Sequence, residues 1–435
     1  MEDKRYHSVR LDTDKCKACT NCLKRCPTEA IRVRGGRAHI IDERCIDCGE
    51  CIRVCEFHAK YAQTDPLATI NSFKYKIALP APSLYGQFKR LASASQILEG
   101  LLRMGFDDVF EVAAGADIVT RAIRERMRSM SPDEYPVISS ACPAITRLIQ
   151  VRFPELISHI IDVRQPMEVA AMVAKREFCQ KKGVPESEVG CFFITPCAAK
   201  MTAIRNPIGQ EKSAVDGAIS MLEIYGLLAG HIKNYPGEIK LSRATSYGVG
   251  WANNGGEALA VSPENSMAVD GIENVIRVLE EIENNKLRDL VFFEGAACTG
   301  GCVGGPLTFE NGYIARNAIR TLMKTADLRH PDSAVKASYL TKYPLQTTQK
   351  ITPTNSVMKL DEDIAEAMRK MEQLEQIVKS LPGYDCGSCG SPTCRTFAED
   401  IVRGHANNMD CIHILKDQLK IMAQKMVELA KTTRE

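Results

Sequence analysis

Cys142 in Ser-Ser-Ala-Cys-Pro, Cys197 in Thr-Pro-Cys-Ala-Ala-Lys, and the pair Cys298 and Cys302 in Ala-Cys-Thr-Gly-Gly-Cys-Val-Gly-Gly-Pro supply four thiols spread over 160 positions. Ligands that far apart cannot be a local staple. They require several segments of a large domain to converge on one buried site. Twelve more of the 18 cysteines fall into three further groups of four. Sets of four thiolates hold soft transition metals.

Residues 16 to 27 read Cys-Lys-Ala-Cys-Thr-Asn-Cys-Leu-Lys-Arg-Cys-Pro, and residues 45 to 55 repeat the cysteine spacing 29 positions later. This doubled C-x2-C-x2-C-x3-C run is the two-cluster ferredoxin pattern, in which the fourth cysteine of each run ligates the other cluster. One 4Fe-4S cluster is therefore assigned to Cys16, Cys19, Cys22 and Cys55, and the second to Cys45, Cys48, Cys51 and Cys26. Glu56 stands where the repeat would place proline, which is expected to blur the turn without removing a ligand. A zinc ribbon needs only four cysteines and has no use for two such triplets.

Residues 381 to 394 read Leu-Pro-Gly-Tyr-Asp-Cys-Gly-Ser-Cys-Gly-Ser-Pro-Thr-Cys, with Cys411 beyond a helix ending near Gly404. The phrase resembles the small helical 4Fe-4S domain of several redox and corrinoid-linked proteins, which implies Cys386, Cys389, Cys394 and Cys411 as ligands. Zinc would suit four cysteines as well. Ahead of it, Ile364, Met368, Met371, Leu374 and Ile377 share one helical face. After it, Leu415, Leu419, Met422, Met426 and Leu429 recur at alternating steps of four and three, a heptad seam. That seam serves either packing onto the chain's own surface or a coiled coil with a second copy or partner. Cys179 and Cys191 have no partners at ligand spacing, and Cys191 reads as a small buried hydrophobe.

These groups need a scaffold, and 435 residues suffice for a large core with small modules. Short β-branched runs at 76–79, 108–112, 136–139, 190–194 and 290–294 alternate with amphipathic stretches at 95–104 and 167–178. The fold class is α/β (α+β overall). A two-cluster ferredoxin domain over 1–70 precedes a domain of mixed sheets flanked by helices over 71–355. A small helical 4Fe-4S domain with the heptad helix follows over 356–435. Three of the cysteine segments begin where a strand ends, where α/β folds place ligands. With 56 basic and 54 acidic residues, nothing argues for nucleic acid or an anionic membrane surface. The N-terminus has no secretory apolar stretch, and no window approaches a membrane span. Eighteen cysteines without an export route read as metal ligands in a reducing cytoplasm, and suit an anaerobe. Trp251, the single tryptophan, carries little information.

The three central segments resemble the three signature motifs of FeFe-hydrogenases. The resemblance implies an H-cluster, a 4Fe-4S cubane joined through one thiolate to a two-iron site carrying carbonyl, cyanide and a bridging dithiolate. It implies Cys142, Cys197, Cys298 and Cys302 as cubane ligands, with Cys302 the bridging thiolate. Lys200 matches the lysine that donates to a cyanide, and Pro80 and Ala81 match the strand segment lining the same cavity. A cationic donor beside an anionic group gives the stronger hydrogen bond. The glycines at 300, 301, 304 and 305 let backbone approach a bulky inorganic group.

The departures from the family pattern fall on proton delivery. The relay cysteine that precedes the first cluster ligand is replaced by Ala141, which carries no proton. Thr195, Ala203, Ala296 and Met167 replace other motif residues, and Ile123 and Arg126 stand where acidic residues are expected. Holding residues are kept while proton-delivery residues are lost, as in the divergent sensory FeFe-hydrogenases. The resemblance implies a low-turnover enzyme interconverting dihydrogen with protons and electrons, passing electrons through three further 4Fe-4S clusters to a redox partner or signalling protein. A homodimer through the C-terminal helix is a further expectation. Two alternatives stand beside this reading: a non-catalytic iron–sulfur carrier or assembly protein, and an electron-feeding subunit of a larger hydrogenase.

Overall fold

The computed structural model describes residues 6–89, 91, 93–232, 240–261, 263–354 and 356–432. The chain forms two compact units, one built from Met1–Arg10, Ile46–Gly49 and Ala62–Pro353 and the other from Leu11–Cys45, Glu50–Tyr61 and Thr354–Glu435.

The first unit holds two parallel sheets. One has four strands in the order Asp108–Val109, Tyr75–Pro80, Val189–Thr195, Gly217–Ser220. The other has three, in the order Ser266–Asp270, Phe292–Ala296, Val137–Ile138. Every residue of Val189–Thr195 is buried, as a strand covered on both faces requires. The helices Val112–Arg128 and Pro166–Lys182 pack against each other, and their buried faces join the larger core.

Strand positions follow the apolar runs, but their bounds shift. The 108–112 run is a strand only to Val109, because Val112 opens a 17-residue helix. Glu111, just before that helix, is buried and accepts hydrogen bonds from the Arg243 and Ala244 backbone N–H groups, the Ser242 hydroxyl and the Tyr85 phenol. Its long-range role fixes where the strand must stop. The 290–294 run is a strand two residues later, Phe292–Ala296.

The 29-residue repeat of the sequence is also a repeat of backbone conformation. Ala18 and Asp47 have φ of 55° and 54°, and Glu29 and His58 have φ of 50° and 49°. The Ala30 N–H lies 3.2 Å from the Cys26 Sγ, and the Ala59 N–H lies 3.2 Å from the Cys55 Sγ. Glu56 therefore does not blur the second turn: His58 N–H donates to the Cys55 carbonyl at 3.0 Å, as Glu29 N–H does to Cys26 at 3.1 Å.

The hairpin of Ile31–Arg34 and Arg37–Ile40 carries the C-terminal segment. Asp400, on the Cys394–Val402 helix, accepts from Arg32 at 2.7 Å, Arg34 at 3.2 Å and Ser391 at 2.6 Å. Arg44 pairs with Glu399. These pairs are mostly buried, where losing one partner costs about 3–5 kcal/mol. Of the helix Ile364–Ser380, Leu374 is buried at 4% exposure while Ile364 and Met368 stand out at 78% and 64%. The last helix, Ile412–Thr432, leaves its seam open, with Leu419 at 53%, Met426 at 72% and Leu429 at 67%. Packing of the seam onto the chain's own surface is thereby overturned among the described residues. None of the described helices is long and apolar enough to cross a membrane.

Candidate metal centre

Strand ends deliver the four dispersed thiols to one place. Cys142 follows Val137–Ile138 and caps the Pro143–Arg152 helix, with proline at the first helical position, where its missing N–H costs nothing. Cys197 follows Val189–Thr195 and caps the Ala198–Arg205 helix. The Thr195 hydroxyl bridges this turn, donating to the Cys197 carbonyl at 3.0 Å and accepting the Cys197 N–H at 3.1 Å. Cys298 lies two residues beyond Phe292–Ala296. Cys197 is within Coulombic reach of Cys142 and Cys298, and Cys302 of the same two.

The glycines around Cys302 are required by close approach. Gly301 has φ of 91°, and a Cβ there would sit 2.4 Å from the Asn254 backbone nitrogen. A Cβ on Gly305 would sit 2.4 Å from the Pro196 carbonyl oxygen. The backbone on either side of Cys302 thus runs close against two other segments.

A cavity of about 80 Å³ opens beside Cys302, lined by Cys142, Ala81, Ala141, Lys200, Trp251, Glu257 and others. One water needs only about 10–15 Å³, so the space suits a larger group. Pro80 sits one residue back, in the strand, paired in register with Ile194. Lys200 donates to the Ala141 carbonyl at 3.1 Å, and an ammonium has three donors to place. Three buried polar atoms of the lining, Ser83 Oγ, Trp251 Nε1 and Asn253 Oδ1, have no hydrogen-bond partner among the described residues. Unpartnered buried polar atoms are costly unless something fills the space. Burial pushes the Cys302 thiol up to about 12, against the pull of Lys200, and raises Cys197 as well. A metal would remove that penalty, since coordination deprotonates a thiol outright. Four convergent thiols, a cationic donor and a largely apolar cavity carrying a few unpartnered polar atoms fit an iron–sulfur group with a ligand-rich extension.

Sequence reading missed the carboxylates of this cavity. Glu257 accepts from the Ser139 hydroxyl at 2.5 Å, and the Ala141 N–H donates to the same hydroxyl at 3.1 Å. Glu294 accepts from the Gly255 and Ala258 N–H groups at 2.8 Å each, tying the start of the Gly256–Val261 helix. Both carboxyls are raised, chiefly by burial, and Glu257 also by the charge of Glu294. Trp251 also lines this cavity. The run Trp251-Ala-Asn-Asn-Gly-Gly256, two amides and two glycines before a helix, was the available clue. Met167 and Ala296 line the cavity too, whereas Ala203 does not. Ile123 is buried in the core and Arg126 is paired with Asp162 at 3.0 Å.

Two of the other three groups also come together in part. Cys16, Cys19 and Cys55 all act electrostatically on Cys22. Cys386 and Cys411 act on Cys389, and Cys411, Cys389 and Cys394 belong to one small apolar cluster. Gly387 and Gly390 take φ of 78° and 80° in the ligand loop. Of the leftover thiols, Cys191 is fully buried in its strand and Cys179 is partly buried.

Comparison with known proteins agrees with this geometry. The model of the family described as iron only hydrogenase large subunit, C-terminal domain, matches residues 74–264 and 256–306. A 4Fe-4S dicluster domain matches 8–56, and an Fe-S cluster family matches 381–413. Iron hydrogenase 1 of Clostridium pasteurianum is 23% identical over 373 residues, 70% of this chain and 65% of the relative. The cytosolic Fe-S cluster assembly factor NAR1 of Yarrowia lipolytica is 20% identical over 254 residues, 56% of this chain and 48% of the relative. The chain thus spans less than two thirds of the length of these relatives. An apo form of the FeFe-hydrogenase HydA1 from Chlamydomonas reinhardtii superposes with a TM-score of 0.51 at 16% identity, over 64% of this chain and 94% of that one, which shows a shared fold.

Proposed function

The chain belongs to the iron-only hydrogenase large-subunit family, and we propose that it interconverts dihydrogen with protons and electrons. The observation that carries this reading is the cavity beside Cys302, whose lining includes Lys200 and three residues with unpartnered buried polar atoms. Cys142, Cys197, Cys298 and Cys302 would hold an H-cluster, with Cys302 shared between its cubane and its two-iron part. When bound, that group supplies the metal pair at which dihydrogen is split or formed and the cubane that takes up the electrons.

The chain's own residues position and protonate. Lys200 supplies a fixed cation at the cavity wall. The Ala141 side chain neither donates nor accepts, so a proton reaches this wall only through other groups. Ser139 and Glu257 form the hydrogen-bonded pair nearest to it, and Glu294 lies within Coulombic reach of Glu257. A route through a carboxyl rather than a thiol beside the site supports slow turnover and a sensory role. Electrons pass to the ferredoxin-like clusters and on to a redox or signalling partner, in a reducing cytoplasm.

A non-catalytic assembly role is the second reading, favoured by the likeness to NAR1. An infrared spectrum of the matured protein separates the two. Carbonyl and cyanide bands are expected for a hydrogenase. A protein with a full complement of iron, no such bands and no hydrogen turnover belongs to the second reading.

We also place a homodimer contact on the exposed seam of the C-terminal helix. In a parallel pairing, Lys425 faces Ala430 of the second copy and Gln418 faces Ala423, so no lysine meets a lysine across the seam. Replacing Leu419 and Met426 together by lysine would bury charges in that seam. Light scattering should show a wild-type dimer and a monomeric variant; a variant that stays dimeric puts the contact elsewhere.

A further inference from the structure

The C-terminal cysteine group is docked directly onto the first cysteine run. A Cβ built on Gly387, between Cys386 and Cys389, would lie 3.6 Å from the Leu23 Cδ1 and 3.0 Å from the Lys24 Cε. Leu23 follows Cys22, and it is fully buried. The Lys24 ammonium donates to the Pro392 carbonyl at 2.9 Å, and the Val33 N–H to the Gly390 carbonyl at 2.9 Å. Arg34 donates to the Cys389 carbonyl and, at 3.0 Å, to the Ser391 hydroxyl. A Cβ on Gly390 would fall 1.8 Å from the Val33 carbonyl oxygen, so the two backbones touch with no room for a side chain. Cys22 and Leu23, and likewise Cys386 and Gly387, are one Cα–Cα step of about 3.8 Å apart, and the Leu23 side chain reaches across the gap to Gly387.

Exposure differs between the two ends of this contact. Cys16, Cys22 and Cys55 are buried and Cys19 is half-buried, whereas Cys386 is exposed, Cys389 and Cys394 are half-buried and Cys411 is buried. Beside it Tyr384 is 68% exposed, with its ring edge-on to His413 at 4.9 Å.

We propose that the cluster held by Cys386, Cys389, Cys394 and Cys411 is the electron outlet of the chain, fed across the Leu23–Gly387 contact by the cluster of Cys16, Cys19, Cys22 and Cys55. The inference rests on the hydrogenase reading for its source of electrons. Oxidation of one dihydrogen releases two protons and two electrons. Each electron leaves the reduced inner cluster singly, reduces the outer one, and leaves it for a one-electron carrier protein docked at the Cys386 face. Gly387 fits closely against Leu23 and Lys24, and the exposed Cys386 brings the outer cluster within reach of a partner.

The test is electron paramagnetic resonance of the full-length, cluster-loaded protein reduced with dithionite, which needs no hydrogen turnover. The wild type should show a fourth cluster whose spin speeds the relaxation of the cluster at Cys16–Cys22. Replacing Cys386 and Cys389 by alanine should remove about four irons per chain, slow that relaxation and abolish reduction of a bacterial two-cluster ferredoxin by hydrogen. Gly390→Ala keeps every ligand but separates the two backbones. It should retain all iron and the hydrogen-linked reduction of a small viologen dye while losing both the fast relaxation and ferredoxin reduction. Unchanged relaxation in the cysteine variant, or ferredoxin reduction that survives in it, overturns the proposal; so does zinc in place of the fourth cluster. Absence of carbonyl bands with the magnetic coupling intact would instead remove the hydrogenase reading alone.

Discussion

Replacing Cys302 by serine is expected to abolish the carbonyl bands and hydrogen turnover together, while iron at the other three cysteine groups stays in place. The site gives the substitution little room to adjust. The backbone at Gly301 and Gly305 lies close against Asn254 and Pro196, which restricts a backbone shift that would carry a shorter, harder oxygen ligand toward the metal. A hydroxyl ionises far less readily than a thiol, and soft iron sites select thiolate. Even the thiol is pushed up to about 12 by burial, so the metal must provide the compensating charge. A serine there stays neutral and binds poorly. Folding should change by no more than about 1–2 kcal/mol, because the replacement is nearly isosteric and a hydroxyl left unpaired in a buried site costs in that range. Carbonyl bands of wild-type intensity in this variant would remove Cys302 from the bridging position.

The cysteine groups were legible as a pattern because metal ligation constrains residue type and spacing together. Parallel strands were legible as apolar runs, since both faces of Val189–Thr195 are buried and no polar alternation interrupts it. The parts that were not legible depend on pairings across long stretches of chain. Arg32 and Arg34 meet Asp400 some 366 to 368 positions away, and neither end carries a local signal. Glu257 looks like any acidic residue in the first turn of a helix; only burial against Ser139 and Glu294 changes its chemistry. Trp251 was passed over because a lone aromatic ring has no spacing to read. The heptad seam of the last helix was legible as a pattern, while its freedom from the chain's own surface became visible only in three dimensions.

Glu257→Gln should lower hydrogen evolution by about 10²–10⁴, the contribution of a placed general acid. A carboxamide keeps the shape and can still accept from Ser139, but it cannot release a proton at any working pH. Burial and the neighbouring Glu294 carboxylate raise Glu257, and Ser139 and Lys200 act in the opposite sense. The carboxyl is held well above the ordinary carboxylate range, so it stays protonated and able to donate to higher pH than an exposed glutamate does. Hydrogen evolution by the wild type is therefore expected to fall as pH rises through the raised pKa of this carboxyl, and hydrogen oxidation to gain. Both limbs should vanish in the glutamine variant, whose infrared bands should remain, since Glu257 holds no metal. Ala141→Cys adds a transferable proton at the cavity wall and should raise the evolution rate by part of the same factor. Adding Ile123→Glu would not complete the recovery, because Ile123 is 1% exposed in the apolar core and a carboxylate there must be desolvated. Hydrogen evolution with saturating reductant, followed across pH in light and heavy water, reads all of these. A glutamine variant with the wild-type rate, pH profile and isotope effect would take Glu257 out of the proton route and leave slow turnover without a cause in this cavity.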